Sequence, residues 1–286
     1  MIITKTNGNL EYLEAESISV PHCFTTRYGG VSSGSQESLN LAVGRGDSEG
    51  NVEANLRILA KALGYDPEKY VLTRQTHSDM VRVVTDADCN GFFHRDYPEC
   101  DALVTNTPGV TLMVFTADCT PLLLHDPVTG AVGAAHAGWR GTAQNIGAKT
   151  VEAMVENFGC DPGNIRAAIG PNLGQCHFET DLDVPAALIA AYGEDIQTFI
   201  RQKGEKYYPD LKAINAYALR KAGVRQIEIS DSCTWCESQR FWSHRVTKGD
   251  RVPSLTLGFP LTLHNSRSKQ DQLRYSGRVV LIFFFF

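Results

Sequence analysis

Three short, unbroken apolar runs, at 110–117, 121–124 and 131–135, constrain this chain more than any other feature. Runs of that length suit strands buried on both faces better than half-exposed strands, in which apolar and polar residues alternate. The turn-forming stretch Asp126-Pro127-Val128-Thr129-Gly130 separates the last two and marks a hairpin. Two reactive residues stand at the ends of these runs, Cys119 in FTADCTP and His136 in AAHAGWRG, and His77 lies upstream in TRQTHSD. A thiolate and two imidazoles fit either a metal site with an open position or a Cys–His nucleophile.

Around this centre, strands and helices mix. Asn7-Gly8 between short apolar runs predicts a type I′ hairpin, and residues 24–26 a strand end opening into a Gly/Ser-rich loop. Val52, Leu56, Leu59 and Leu63 set a helical stripe that starts near Ser48 and ends at Gly64. Residues 70–84 read as two β-rich runs with Gln75, Thr76 and His77 at the break, followed by an acidic, turn-rich loop. Thr142 is a good N-cap for a helix whose stripe is Ile146, Val151, Met154, Val155 and Phe158, closed by Gly159. Then come a strand in NIRAAIG, helices near 183–192 and 210–222, a strand in RQIEIS and a terminal strand over 279–286. There is no repeat, no dinucleotide or P-loop glycine pattern and no break in composition, which favours one domain over 1–286.

A 43% hydrophobic share with 21% charged residues is enough to bury a real core. The net charge of −5 argues against a broad nucleic-acid surface or a face docked on anionic membrane, while leaving room for a local basic pocket. The first residues carry no export pattern and no run is long enough to span a bilayer, so the eight cysteines are expected to be reduced thiols of a cytoplasmic protein.

A His₂Cys set leaves the fourth tetrahedral position for water or substrate, the mark of a catalytic zinc, and zinc lowers the pKa of water toward ~7. Asp118, beside Cys119, is a candidate proton-transfer group; the plainer reading is a turn cap. Arg27 and Asn40 are candidate polar groups for a pocket, as is Gln75, against the plainer reading of loop residues. Gly138, Arg140 and Gly141 precede a helix start, where amide N–H groups and a guanidinium favour phosphate or a carboxylate. The C-x-x-C at Cys233 and Cys236 lacks a second pair and reads as two buried or rim thiols.

At these residues the chain resembles the YfiH-type family, often labelled the laccase-domain or multicopper polyphenol oxidase family, whose members are also described as purine nucleoside phosphorylases. The motifs are TTRYGGVS at 25–32, SLNLAVG at 38–44, RQTHSD at 74–79, DALVTNTPG at 101–109, TADCTP at 116–121, HAGWRGT at 136–142, AIGPNLGQCHFE at 168–179, SDSCTWCE at 230–237 and FWSHR at 241–245. The resemblance implies an α/β (α+β) fold, an α-β-β-α sandwich with mixed sheets inside and helices outside. It implies zinc held by His77, Cys119 and His136. It also implies phosphorolysis of adenosine, inosine and methylthioadenosine, and deamination of adenosine; a monomer or homodimer is expected. The chain departs from the family pattern over 246–286, including the Phe283 to Phe286 tail. Two rival functions remain at this stage. One is copper-dependent phenol oxidation, although a four-copper laccase needs more histidines than the 8 present. The other is a metal-free Cys–His hydrolase with Cys119 as nucleophile.

Overall fold

The computed structural model describes residues 1–43, 46–89, 91 and 98–247, together with the backbone of 254–258. The chain opens with β1 (Ile2–Asn7), β2 (Leu10–Ala15), β3 (His22–Thr25), helix α1 (Glu49–Leu63), β4 (Tyr70–Leu72) and β5 (Val81–Val83). Four central strands follow, β6 (Ala102–Thr105), β7 (Thr111–Thr116), β8 (Thr120–His125) and β9 (Val132–Ala137). Next come α2 (Trp139–Ala143), α3 (Ile146–Phe158), β10 (Arg166–Ile169) and α4 (Asp183–Tyr192). The last elements are β11 (Ile200–Lys203), β12 (Lys206–Pro209), α5 (Leu211–Lys221), β13 (Gln226–Ile229), α6 (His244–Thr247) and β14 (Ser254–Gly258).

Two six-stranded mixed sheets result, ordered β1-β2-β3-β14-β7-β4 and β13-β10-β8-β9-β6-β5, with β11 and β12 forming a separate hairpin. The pairs β4–β7, β5–β6 and β10–β13 are parallel. Both-face burial of the apolar runs holds, and alternation along each strand explains it. Leu103, Leu123, Ala134 and Ala168 of the second sheet meet Leu13, Phe24, Val71, Leu112 and Val114 of the first in one cluster between the sheets. On the opposite face of the second sheet, Val104, Leu122, Leu124, Ala135 and Ile169 pack against Ile146, Val151 and Met154 of α3 and Leu219 of α5. On the opposite face of the first, Tyr12, Tyr70 and Met113 pack on Val52, Leu56 and Leu59 of α1. This is the α-β-β-α sandwich the resemblance implies.

Helix α1 has the expected caps: Ser48 Oγ accepts from Asn51 N, and Gly64 sits in the left-handed region at φ 78°. Two local expectations need correction. Asn7 is the last residue of β1 and pairs with Leu10, so the turn is Gly8-Asn9. Gly8 has φ 61° and Asn9 is not in the positive-φ region, so the turn is closer to type II′, which wants glycine first, than to I′. Thr142 lies inside the short helix α2; the long helix starts at Ile146 after Asn145, whose φ of 63° breaks the run. The terminal strand expected over 279–286 lies outside the described residues, as does most of 246–286; within that segment, the backbone of β14 sits between β3 and β7. Among the described residues no helix is long and apolar enough to cross a membrane.

His22 is locked into one neutral tautomer at the start of β3. Its Nε2 accepts from Ala15 N at 2.8 Å and its Nδ1 donates to Val20 O at 2.8 Å, so a second ring proton would point at an N–H group. Burial pushes its pKa down to about 4, against smaller opposing contributions from the Val20 carbonyl and Glu228, and buried His125 is likewise held at about 4, by burial first and Arg166 next. Between the ordinary histidine value and about 4, the unfolded chain binds protons that the folded chain refuses. Stability therefore falls as pH drops through that window. Urea unfolding at pH 7 and pH 5 is expected to show a loss of roughly 2 kcal/mol per histidine, and His22→Asn should remove one such share. Equal acid sensitivity in the variant would contradict this.

Candidate metal centre

The strand order β8-β9-β6-β5 lines up four functional positions at one end of the second sheet. Pro121 pairs with His136, which sets Cys119, just ahead of β8, beside His136 in β9. Ala102 pairs with Ala135 and, on its other side, with Val81. Asp101, immediately before β6, thus falls between His136 and the loop that carries His77. The ligand atoms of His77, Cys119 and His136 all lie within 4.8 Å of one another, and Cys119 Sγ is 3.8 Å from His77 Nε2. His136 is fully buried, whereas His77 and Cys119 are half-buried and define the open side.

Asp101 is the group that sequence reading missed. It is completely buried and accepts from five donors: Oδ1 from His136 Nδ1 at 2.7 Å and His77 N at 3.1 Å, and Oδ2 from Thr76 N, Ser78 N and Ser78 Oγ. Burial alone would raise this carboxyl; the hydrogen bond and positive charge of His136, with the bonds from Ser78, outweigh it and hold the pKa at about 2. With Nδ1–H committed to Asp101, His136 turns Nε2 toward the cluster. Burial likewise works against the charged forms of Cys119 and His136. Each is stabilised by the other: Cys119 is brought down to about 7 by His136 and His77, and His136 is pushed up by Cys119 and Asp101.

The backbone is strained at both open-side ligands. His77 has φ 60° and Asp118, next to Cys119, φ 83°. Non-glycine residues in that region cost of order 1–3 kcal/mol each and persist only where surrounding contacts enforce them. Here the Asp101 bonds enforce the first, helped by Gln144 Nε2 donating to His77 O. Gly138 answers a steric demand: a Cβ there would lie 2.7 Å from His77 Cδ2 and 3.2 Å from Cys119 Sγ.

The other candidates from the sequence are placed as follows. Asp118 commits both carboxylate oxygens to neighbouring loops: its Oδ1 accepts from Thr234 Oγ1 and its Oδ2 from Arg245 N. Gln75 spends its amide on Phe115 N and O and on Thr73, pinning the His77 loop to β7. Asn40 is fully buried and braces its own loop through Ala42 and Asp47. Arg27 lies over the Trp242 ring at 3.6 Å and donates to the carbonyls of Glu37 and Ser238. Arg140 is exposed, stacks on Trp139 at 4.2 Å and pairs with no carboxylate among the described residues. Because α2 is only 5 residues long, helix-dipole support for an anion there is weak. Cys233 is a buried and Cys236 an exposed free thiol, and Cys176 and His177 lie against them. All eight cysteines are free thiols.

The donor set fits a metal. Two imidazoles and one thiolate are ligands zinc accepts, and zinc bonds of about 2.0–2.3 Å in a tetrahedron place S and N about 3.5 Å apart. The observed 3.8 Å separation of Cys119 Sγ and His77 Nε2 is a few tenths of an ångström wider.

The chain is similar to known proteins along most of its length. The profile of the family described as multi-copper polyphenol oxidoreductase laccase matches residues 21–253. A purine nucleoside phosphorylase of Deinococcus radiodurans is 41% identical over 244 residues, covering 85% of this chain and 90% of the relative. The purine nucleoside phosphorylase YfiH of Escherichia coli is 37% identical, covering 80% and 89%. Among solved structures, YlmD from Geobacillus stearothermophilus superposes with a TM-score of 0.83 at 32% identity, covering 89% of this chain and 97% of that one.

Since all five groups around Asp101 are donors, an amide in its place must turn its NH₂ toward at least two of them. Leaving buried donors unsatisfied costs about 1–3 kcal/mol each. Asp101→Asn is therefore expected to lower the unfolding free energy by at least about 3 kcal/mol, measured by urea denaturation in chelator-treated protein. A change below ~1 kcal/mol would show that this network does not hold the loop.

Proposed function

The chain belongs to the multi-copper polyphenol oxidoreductase laccase family, and on that premise we propose that it is a zinc-dependent purine nucleoside phosphorylase that also deaminates adenosine. The observation that carries the reading is the convergence of His77, Cys119 and His136 against the buried Asp101. These three residues would hold zinc and leave one tetrahedral position open, as catalytic sites do. The metal would supply Lewis-acid polarisation of phosphate or water. Asp101 fixes the His136 tautomer and orients its ring, as carboxylate partners of ligating histidines do. Gln75 and Asp118 act by holding the His77 and Cys119 loops in place, and Asn40 by bracing the Gly/Ser-rich loop.

In the reaction, a phosphate oxygen bonds to the anomeric carbon of the nucleoside as the bond from that carbon to the purine nitrogen breaks. The purine leaves with a proton, and the sugar retains the phosphate as its 1-phosphate. Adenosine, inosine and methylthioadenosine share the bond that breaks. Arg140, exposed and two residues beyond Gly138, is the cation we assign to phosphate; Arg27, tied to two carbonyls, adds positive charge rather than an open fork.

One observation favours a second reading. A Cys119 thiol at about 7 beside a His136 pushed upward is also the arrangement of a metal-free Cys–His hydrolase. A four-copper oxidase is disfavoured, because among the described residues the only two His-containing clusters hold two histidines and one histidine respectively.

Purified protein incubated with adenosine and phosphate is expected to yield adenine and ribose 1-phosphate, and adenosine without phosphate to yield inosine. Cys119→Ser and His77→Ala should each lower both rates at least about 100-fold and release the metal, more than loss of an outer partner costs. Absence of all three products would sink the proposal. Full activity in metal-stripped protein, with a covalent adduct trapped on Cys119, would favour the hydrolase.

A further inference from the structure

A second cluster lies apart from the trio, where the loop after β10 meets the loop after β13. Cys176 Sγ and Cys236 Sγ are 3.7 Å apart; His177 Nδ1 is 3.2 Å from Cys176 Sγ, 3.4 Å from Cys236 Sγ and 4.0 Å from Cys233 Sγ. We propose that Cys176, His177, Cys233 and Cys236 form a second, structural zinc site that staples these two loops together.

The distances carry the argument. Zinc–sulfur bonds of about 2.3 Å and zinc–nitrogen bonds of about 2.05 Å make tetrahedral edges of about 3.75 Å between sulfurs and about 3.5 Å between sulfur and nitrogen. The observed edges scatter around those values. They are too long for disulfides, whose sulfurs stand about 2.05 Å apart. Three thiols and one imidazole also cannot all be satisfied by disulfide pairing. Four protein ligands close the coordination shell, which is the structural pattern, in contrast to the three at the trio.

The surroundings are built to hold the ligands. Trp235 stacks on His177 with centroids 5.1 Å apart and planes 17° from parallel, fixing the ring. Gly174 N donates to Cys233 Sγ at 3.2 Å. A Cβ at Gly174 would lie 3.3 Å from the sulfurs of both Cys176 and Cys233, so glycine keeps the pocket open. Three thiolates on one divalent ion leave a net negative charge. The buried ammonium of Lys212, which donates to Ser230 O and Ser232 O just ahead of Cys233, faces it from α5.

The site has a consequence for the trio. Both stapled loops grip Asp118: Leu173 N donates to its carbonyl at 2.9 Å and Thr234 Oγ1 to its Oδ1 at 2.6 Å. Closing the loops with a metal thus holds Asp118 at its strained φ, and with it the adjoining Cys119. Cys176, His177, Cys233 and Cys236 position the trio from a distance; they are not catalytic residues.

The test is metal analysis of the full chain purified with zinc and dialysed against a mild chelator. Wild type is expected to retain two zinc ions per chain, Cys119→Ser one, and Cys236→Ser one. His177→Cys, which offers a four-thiolate shell, should keep the second ion. X-ray absorption of the Cys119→Ser protein should show three sulfur neighbours at about 2.3 Å and one nitrogen. If the trio binds no metal, wild type and Cys119→Ser each hold one ion with that same spectrum, and the second site stands while the functional proposal falls. A Cys119→Ser protein without zinc, a spectrum with fewer than three sulfurs, or Cys236→Ser matching wild type in zinc content would overturn the inference. So would a Cys233–Cys236 disulfide in protein isolated without reductant.

Discussion

The buried carboxylate of Asp101 is the point on which the site depends. It takes five donors from two segments: four from the loop that carries His77 and Ser78, and the fifth from the imidazole of His136 on β9. A charge placed at zero exposure is tolerable only if its lone pairs are filled, and here the filling is what fixes the geometry. The same bonds that neutralise the cost of burying Asp101 set the rotation of the His136 ring and the unusual backbone of His77. Function and stability therefore rest on one network.

The sheet makes that network possible. Antiparallel pairing of β6 and β8 on either side of β9 brings Asp101, His136 and Cys119 abreast, and parallel pairing of β5 with β6 returns the His77 loop to the same end. β6, β8 and β9 are buried on both faces, so a one-residue slip would turn every core side chain to the wrong layer. Register is thus enforced by the core, and the site inherits a precision that its loops could not supply. The strain at His77 and Asp118 is carried by this rigid frame.

Much of this was legible in the sequence, for physical reasons that can be named. Unbroken apolar runs at 110–117 and 121–124 signalled strands covered on both sides, and Ser48 with Gly64 marked the ends of α1 because caps act through local hydrogen bonds and φ. Thr142 misled because a good cap residue followed by an apolar stripe looks the same whether the helix starts there or after the break at Asn145, which only the left-handed φ reveals. Asp101 gave no signal, since an acid ahead of a strand acquires its five donors only through non-local pairing. Cys176 and His177 were missed for the same reason: β10 and β13 are parallel neighbours, and only that pairing brings their following loops together.

The electrostatics bear on how the proposed metal would be held. In the protein alone, Cys119 and His136 stabilise each other's charged forms, with Asp101 adding to the basicity of the ring. A metal held by the trio would replace the second ring proton of His136, because a ligating imidazole must be neutral. Asp101 strengthens both outcomes, as a partner that raises the affinity of the ring for a proton also raises its affinity for a cation. Selection between them falls to charge: a divalent ion meets the thiolate, two imidazoles and the Asp101 carboxylate together, whereas a proton satisfies one ring. The arrangement that resembles a thiolate nucleophile with its base is also a donor set whose charges suit a divalent ion.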